Sequence, residues 1–181
     1  MLLRSSRRRE RQENIERLYG AIVAQARSMI FYAEWDVPDT LEGRFDLLVL
    51  HVHLLFRRLA SESAKTRAIG QGVFDRFVAD MDGSLRELGV GDLAVPKRMR
   101  AVGEAYYGRA AAYDAALADL NDKPLIDALS KNVYDGRADA ESSVRKLAHY
   151  VRAAAYELAN QNSECIARGD VRLPNPQTMD L

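Results

Sequence analysis

The chain has 181 residues, 48% apolar and 29% charged, with Lys+Arg and Asp+Glu both at 26. That length suits one domain burying about 70% of the surface its unfolded chain would expose. A formal net charge of zero excludes a global field for nucleic acid, and one cysteine, Cys165, excludes an internal disulfide and fits a reducing compartment.

Residues 1–11 form a basic N-terminal segment in which Arg4, Arg7, Arg8, Arg9 and Arg11 are opposed only by Glu10. No apolar stretch follows, which argues against a secretory signal, and Glu10, Glu13 and Glu16 argue against a mitochondrial presequence. These five arginines are candidate contacts for an anionic membrane surface, each contributing of order 1 kcal/mol close to it. The spacing of Ile15, Leu18, Ile22, Ala26 and Met29 predicts a first helix from about Arg8 to Glu34. The loop Trp35–Thr40 ends it, and Thr40 is placed to cap the next.

The stretch from Phe45 to Leu59, FDLLVLHVHLLFRRL, organises the rest. At 3.6 residues per turn, Phe45, Leu48, Val52, Leu55, Phe56 and Leu59 share one broad face and Leu47, Leu50 and Leu54 the other. Asp46, His53 and Arg57 form a narrow polar stripe between them, with His53 expected in water. A helix apolar on two sides must be covered on two sides, so residues 41–60 read as the central helix of a layered domain. The run is too short and too polar for a membrane span, which needs about 20 apolar residues.

A third helix from Ser61 or Ser63 carries Ile69, Val73, Phe77, Met81, Leu85 and Leu88, and stops at Gly89-Val90-Gly91-Asp92. A fourth, Lys97 to about Leu120, follows Pro96 and carries Met99, Val102, Tyr106, Tyr113, Leu117 and Leu120. Asn121 or Asp122 is placed to cap a short fifth helix with Leu125, Ile126, Leu129 and Val133. The last helix is expected from Ala138 to Arg168, ended by Gly169, with residues 170–181 as an extended, loosely ordered tail. The reading is all-α: one layered domain of about six helices over residues 12–169.

Reactive chemistry is hard to place on this frame. His51 and His53 sit two apart, roughly 200° around a helix, and cannot share a metal. Asp75, Asp80 and Asp82 lack a second acidic cluster and read as a solvated face pairing with Arg76 or Arg86. No phosphate-cradling glycine loop is present, and the sequence gives no reason to expect ATP use. Neither a catalytic residue nor a cofactor or metal set is assigned.

Several landmarks, in order, resemble the ubiquinol–cytochrome c chaperone family: LHVHLLFRRL (50–59), FDRFVADMDGSLRELGVGD (74–92), PKRM (96–99), YYGRAAAYDAAL and ADLNDKPLIDAL within residues 106–129, LAHYVR (147–152) and GDVRLP (169–174). The resemblance covers about residues 40–174. It implies a non-enzymatic assembly factor of respiratory complex III that binds newly made cytochrome b. It also implies a small assembly partner in mitochondrial members, with peripheral contact to the ribosome or inner membrane. Because little precedes the domain, a bacterial relative at the cytoplasmic face of the membrane is expected, as against the matrix side for an organellar one.

A holder of membrane-protein segments needs an apolar groove with a polar rim. The minor face of the central helix (Leu47, Leu50, His51, Leu54, Arg58), with Tyr106 and Tyr113, is the expected client groove. Two other classes remain open at this point: an all-helical binder of haem or isoprenoid, with His51 or His149 as iron ligand, and a helical oligomerisation or adaptor module using the Ala- and Gly-bearing fourth helix.

Overall fold

The computed structural model describes residues 2–179, with side chains from residue 6 onward. The α-helices run in the order α1 (Leu2–Ala26), α2 (Met29–Ala33), α3 (Leu41–Ala60), α4 (Ala64–Glu87), α5 (Val95–Ala118), α6 (Lys123–Val133), α7 (Glu141–Asn160) and α8 (Ser163–Ala167). Single 3-10 turns precede α7 and follow the final loop, and no strand occurs among the described residues. The architecture is the expected all-α layered domain around α3, which packs against α1, α4, α5, α6 and α7.

α3 has the bounds the sequence predicts. The Thr40 side chain accepts a hydrogen bond from Gly43 N at 3.2 Å, satisfying one of the orphan donors of the first turn. Every residue from Asp46 to Leu55 is buried. Gly43 lets the preceding loop cross the helix closely, since a Cβ there would stand 2.0 Å from Pro38 O. Ser63 caps α4 by accepting from Thr66 N, and Pro96 and Pro124 occupy the first turns of α5 and α6, where a missing N–H costs nothing. Asp122 makes no side-chain cap; Asn121 Oδ1 instead accepts from Lys123 N at 2.8 Å.

Two long helices of the sequence reading are each two helices. The first breaks at Arg27–Ser28, and its N-terminal part extends back through the basic segment as far as Leu2. Tyr32 Oη donates to Ala26 O at 2.7 Å, taking a carbonyl that a continuing helix would have used. The break turns Phe31 into a fully buried aromatic nest with Trp35, Tyr150 and His51, at ring distances of 5.3, 5.0 and 5.7 Å. Edge-on packing of this kind adds about 0.5–1.5 kcal/mol per pair beyond area burial.

The last helix breaks at Gln161–Asn162. Gln161 turns extended, and its amide bonds the backbone of Arg172 at both ends: Nε2 donates to Arg172 O and Oε1 accepts from Arg172 N, each at 2.8 Å. Gly169 does stop α8, at φ 98°. The segment after α8 carries a 3-10 turn at Pro176–Thr178 and is docked as far as residue 179 rather than loose. Val171 and Leu173 pack on the core, Pro176 is buried, and Gln25 Nε2 donates to Pro174 O at 2.8 Å.

Candidate functional site

The residues chosen from the minor face of α3 are enclosed, not displayed. Leu47, Leu50, His51 and Leu54 are at most 2% exposed, and Tyr106 and Tyr113 are 3% and 0%. The groove expected on that face is therefore absent, because α2 and α7 close over it. His51 lies beneath Phe31 and Tyr150. Its Nδ1 is 2.7 Å from Leu47 O and must carry the proton, since a carbonyl only accepts. Nε2 then accepts from Tyr150 Oη at 2.7 Å, and that oxygen accepts from Gln25 Nε2. Burial pushes the imidazole down to about 4, so it stays neutral. With both ring nitrogens engaged, His51 presents no ligand to an iron.

Arg58 is also structural. Its guanidinium donates to Leu158 O at 2.7 Å and Gln161 O at 2.9 Å, and pairs with Glu62. It binds the end of α3 to the carbonyl end of α7, where a cation meets both unsatisfied acceptors and the helix dipole.

Two of the three residues of the polar stripe of α3, His53 and Asp46, are buried as well, while Arg57 is exposed and pairs with Asp114 at 3.0 Å. His53, expected in water, is 3% exposed between the rings of Tyr106 and Tyr113, with Nε2 donating to Asp114 at 3.2 Å. Burial holds its pKa below the usual imidazole value. Asp46 is 6% exposed and lies 2.7 Å from the Arg109 guanidinium. Desolvation pushes its carboxyl up to about 6, against the pull of that arginine. The contact is a close ion pair whose alignment leaves Asp46 Oδ1 and Arg109 Nε without a well-formed hydrogen bond. Asp80 and Asp82 do pair with Arg76 and Arg86, as their spacing suggests.

The open apolar site lies at the other end of α3. A groove of about 390 Å³ is framed by four helices: Val23 and Ala26 of α1, Leu41, Phe45 and Leu48 of α3, Met81 and Leu85 of α4, and Val102 and Ala105 of α5. Its volume falls within the roughly 300–1,000 Å³ range of sites that hold organic ligands or apolar side chains. Leu88 also lines the groove, and Leu41 and Leu88 are each 61% exposed. Arg27, Arg44, Arg98, Glu42 and Asp80 stand around the mouth. The groove exists because α1 stops at Ala26 and the α4–α5 turn does not fold back over Phe45 and Leu48.

Phe45 and Leu48 belong to the broad face identified from sequence, and Met81, Leu85 and Leu88 to the α4 stripe, but all read there as core. A usable signal was the placement of Leu41 and Leu88 at helix ends, beside Thr40 and Gly89, where no partner stripe remains to cover them.

Of the basic segment, Arg7, Arg8, Arg9 and Arg11 are exposed on the first turns of α1. Arg7, Arg8 and Arg11 fall within an arc of about 100°, and Arg11 donates to Ala68 O at 2.7 Å. Arg9 lies outside that arc and pairs with Glu13. The side chain of Arg4 lies outside the described residues. Among the described residues no helix is long and apolar enough to cross a membrane, and no cluster of His, Cys, Asp and Glu suits a metal ion.

The family model described as Ubiquinol-cytochrome C chaperone matches residues 33–173. The chain is 24% identical over 136 residues to ubiquinol-cytochrome-c reductase complex assembly factor 1 of Xenopus laevis, covering 75% of this chain and 68% of that protein. It is 23% identical over 169 residues to the Mus musculus protein of that name, covering 90% of this chain but only 57% of the mouse protein. A solved structure, the crystal structure of the Cbp3 homolog from Brucella abortus, superposes with a TM-score of 0.90 at 36% identity, over 99% of this chain and 100% of that one. The chain thus belongs to the ubiquinol-cytochrome C chaperone family, a family of respiratory complex III assembly chaperones.

Proposed function

We propose that this protein is a non-enzymatic chaperone that holds an apolar segment of newly made cytochrome b in the α1/α3/α4/α5 groove until complex III assembly takes it over. The observation that carries this reading is the groove itself: an apolar floor with a charged rim, on a member of an assembly-chaperone family. A client destined for the membrane exposes apolar helices with polar ends, and such a groove covers the first while leaving the second wet. Family names of the assembly-factor type favour binding over catalysis.

A photocrosslinking amino acid at position 85 or 88 should trap newly made cytochrome b in cells. The same probe at position 54, inside the core, should trap nothing but the chain itself. Capture from an α7 outer-face position but never from the groove would overturn the assignment.

We further propose that the protein works at the cytoplasmic face of the membrane receiving complex III, with the Arg7, Arg8 and Arg11 arc of α1 giving weak affinity for anionic lipid, of order 1 kcal/mol per arginine. Charge reversal at Arg7 and Arg8 should abolish co-flotation with phosphatidylglycerol-containing vesicles. Undiminished flotation would remove this role. A small assembly partner, which the family resemblance implies, would appear as a second protein co-purifying at constant ratio.

A further inference from the structure

The rim of the groove is unevenly satisfied. The Arg44 guanidinium is committed to Asp39 at 2.7 Å and lies over the Tyr32 ring. Asp80 accepts from Tyr19 Oη at 2.7 Å and is neutralised by Arg76 at 3.4 Å. Glu42 sits in the first turn of α3, where the helix dipole favours a carboxylate. What remains are Arg27, just past the end of α1, and Arg98, in the opening turns of α5. Both are exposed, and neither has a carboxylate partner among the described residues. Arg98 is also poorly placed for its own helix. α5 has no acidic residue in its first turn, and Lys97, Arg98 and Arg100 cluster at the end where the dipole is already positive.

We propose that the groove selects apolar polypeptide segments that carry acidic side chains at one end, with Arg27 and Arg98 as the receiving cations. This rests on the reading of the groove as the client site and adds a charge requirement to it. The floor takes the apolar residues, and the free cations meet the carboxylates where the segment leaves the groove. A polypeptide offers several apolar side chains and more than one carboxylate, matching a floor drawn from four helices and two separate cations, whereas a fatty acid has a single carboxylate. Two half-exposed ion pairs at about 0.5 kcal/mol each amount to about a fivefold preference, weakened by salt.

The test uses the full chain and three labelled apolar 14-residue peptides of identical core, ending in two Glu, two Gln or two Lys, measured by fluorescence anisotropy at low salt. The Glu peptide should bind about fivefold tighter than the Gln peptide. The double variant Arg27→Gln/Arg98→Gln should erase that difference while still binding both, and Arg27→Glu/Arg98→Glu should turn the preference toward the Lys peptide. Both variants change surface side chains, and circular dichroism verifies that they remain folded. Equal binding of Glu and Gln peptides to the native chain would overturn the charge requirement while leaving the groove reading intact. If none of the three binds, the groove reading itself fails. If oleate displaces the Glu peptide and itself binds more tightly, the occupant is a lipid and the proposal is wrong.

Discussion

Replacing Arg109 with methionine should destabilise the fold by about 3–5 kcal/mol at pH 7.5 and by much less at pH 5. Removing one partner of a buried pair leaves an uncompensated charge, which costs far more than the pair itself contributes. Here the stranded group is Asp46, whose side chain is only 8% exposed. Its carboxyl already titrates near 6 with Arg109 beside it, because burial outweighs the cation. The folded value stands above the unfolded one, so this group favours the folded state most below about pH 4. That contribution is lost as pH rises to about 6. Without the arginine the folded value rises further, and the loss continues into the neutral range. Urea midpoints for the native chain and the variant should therefore separate widely at pH 7.5 and draw together at pH 5. The double change Asp46→Leu/Arg109→Met should recover most of the loss, since an apolar replacement of a buried pair is often close to neutral. A penalty independent of pH would show that Arg109 acts by packing over Phe45, which its guanidinium approaches at 5.7 Å, and not by charge.

The second large effect is expected at Arg58. Substitution by alanine should cost about 3 kcal/mol, because two buried carbonyls at the end of α7 lose a charged donor. Glu62 keeps only the Ser163 hydroxyl as a side-chain partner. Lysine retains the charge but not the planar fork that reaches Leu158 and Gln161 together, so Arg58→Lys should recover less than half of the loss. The damage should be local. Amide exchange should quicken first across residues 158–168, where α7 gives way to α8, while the buried middle of α3 keeps its protection. Equal loss of protection throughout would mean that Arg58 acts on the core as a whole.

Much of the frame was legible because its signals are local. Thr40 and Ser63 cap from one residue away, Pro96 and Pro124 open helices by lacking a donor, and Gly169 ends one by adopting positive φ. The two missed breaks have no such mark. Ala26-Arg27-Ser28 and Asn160-Gln161-Asn162 contain neither proline nor glycine. They stop being helical because Tyr32, six residues beyond Ala26, and Arg58 and the backbone of Arg172, from across the fold, offer better partners. The site was misplaced for a related reason. Both faces of α3 are apolar, and the pattern does not say which neighbour stops short. The minor face is closed, with Phe31 of α2 and Tyr150 of α7 against His51, whereas Phe45 and Leu48 line a groove beside the end of α1. His53 reads as solvated because a polar group usually seeks water, but Asp114 on α5 supplies a partner that only the tertiary fold brings near, as Arg109 does for Asp46.

The stitch between Gln25 and Pro174 joins residues 149 positions apart, and the same glutamine supports the Tyr150–His51 pair at the centre. A ribosome making this chain releases α1 long before the segment that carries Pro174. The interior cannot reach its final hydrogen-bonded state until that segment has left the exit tunnel. The newborn chain is therefore a late finisher, whose middle locks only after the Pro174 segment has followed α1 out.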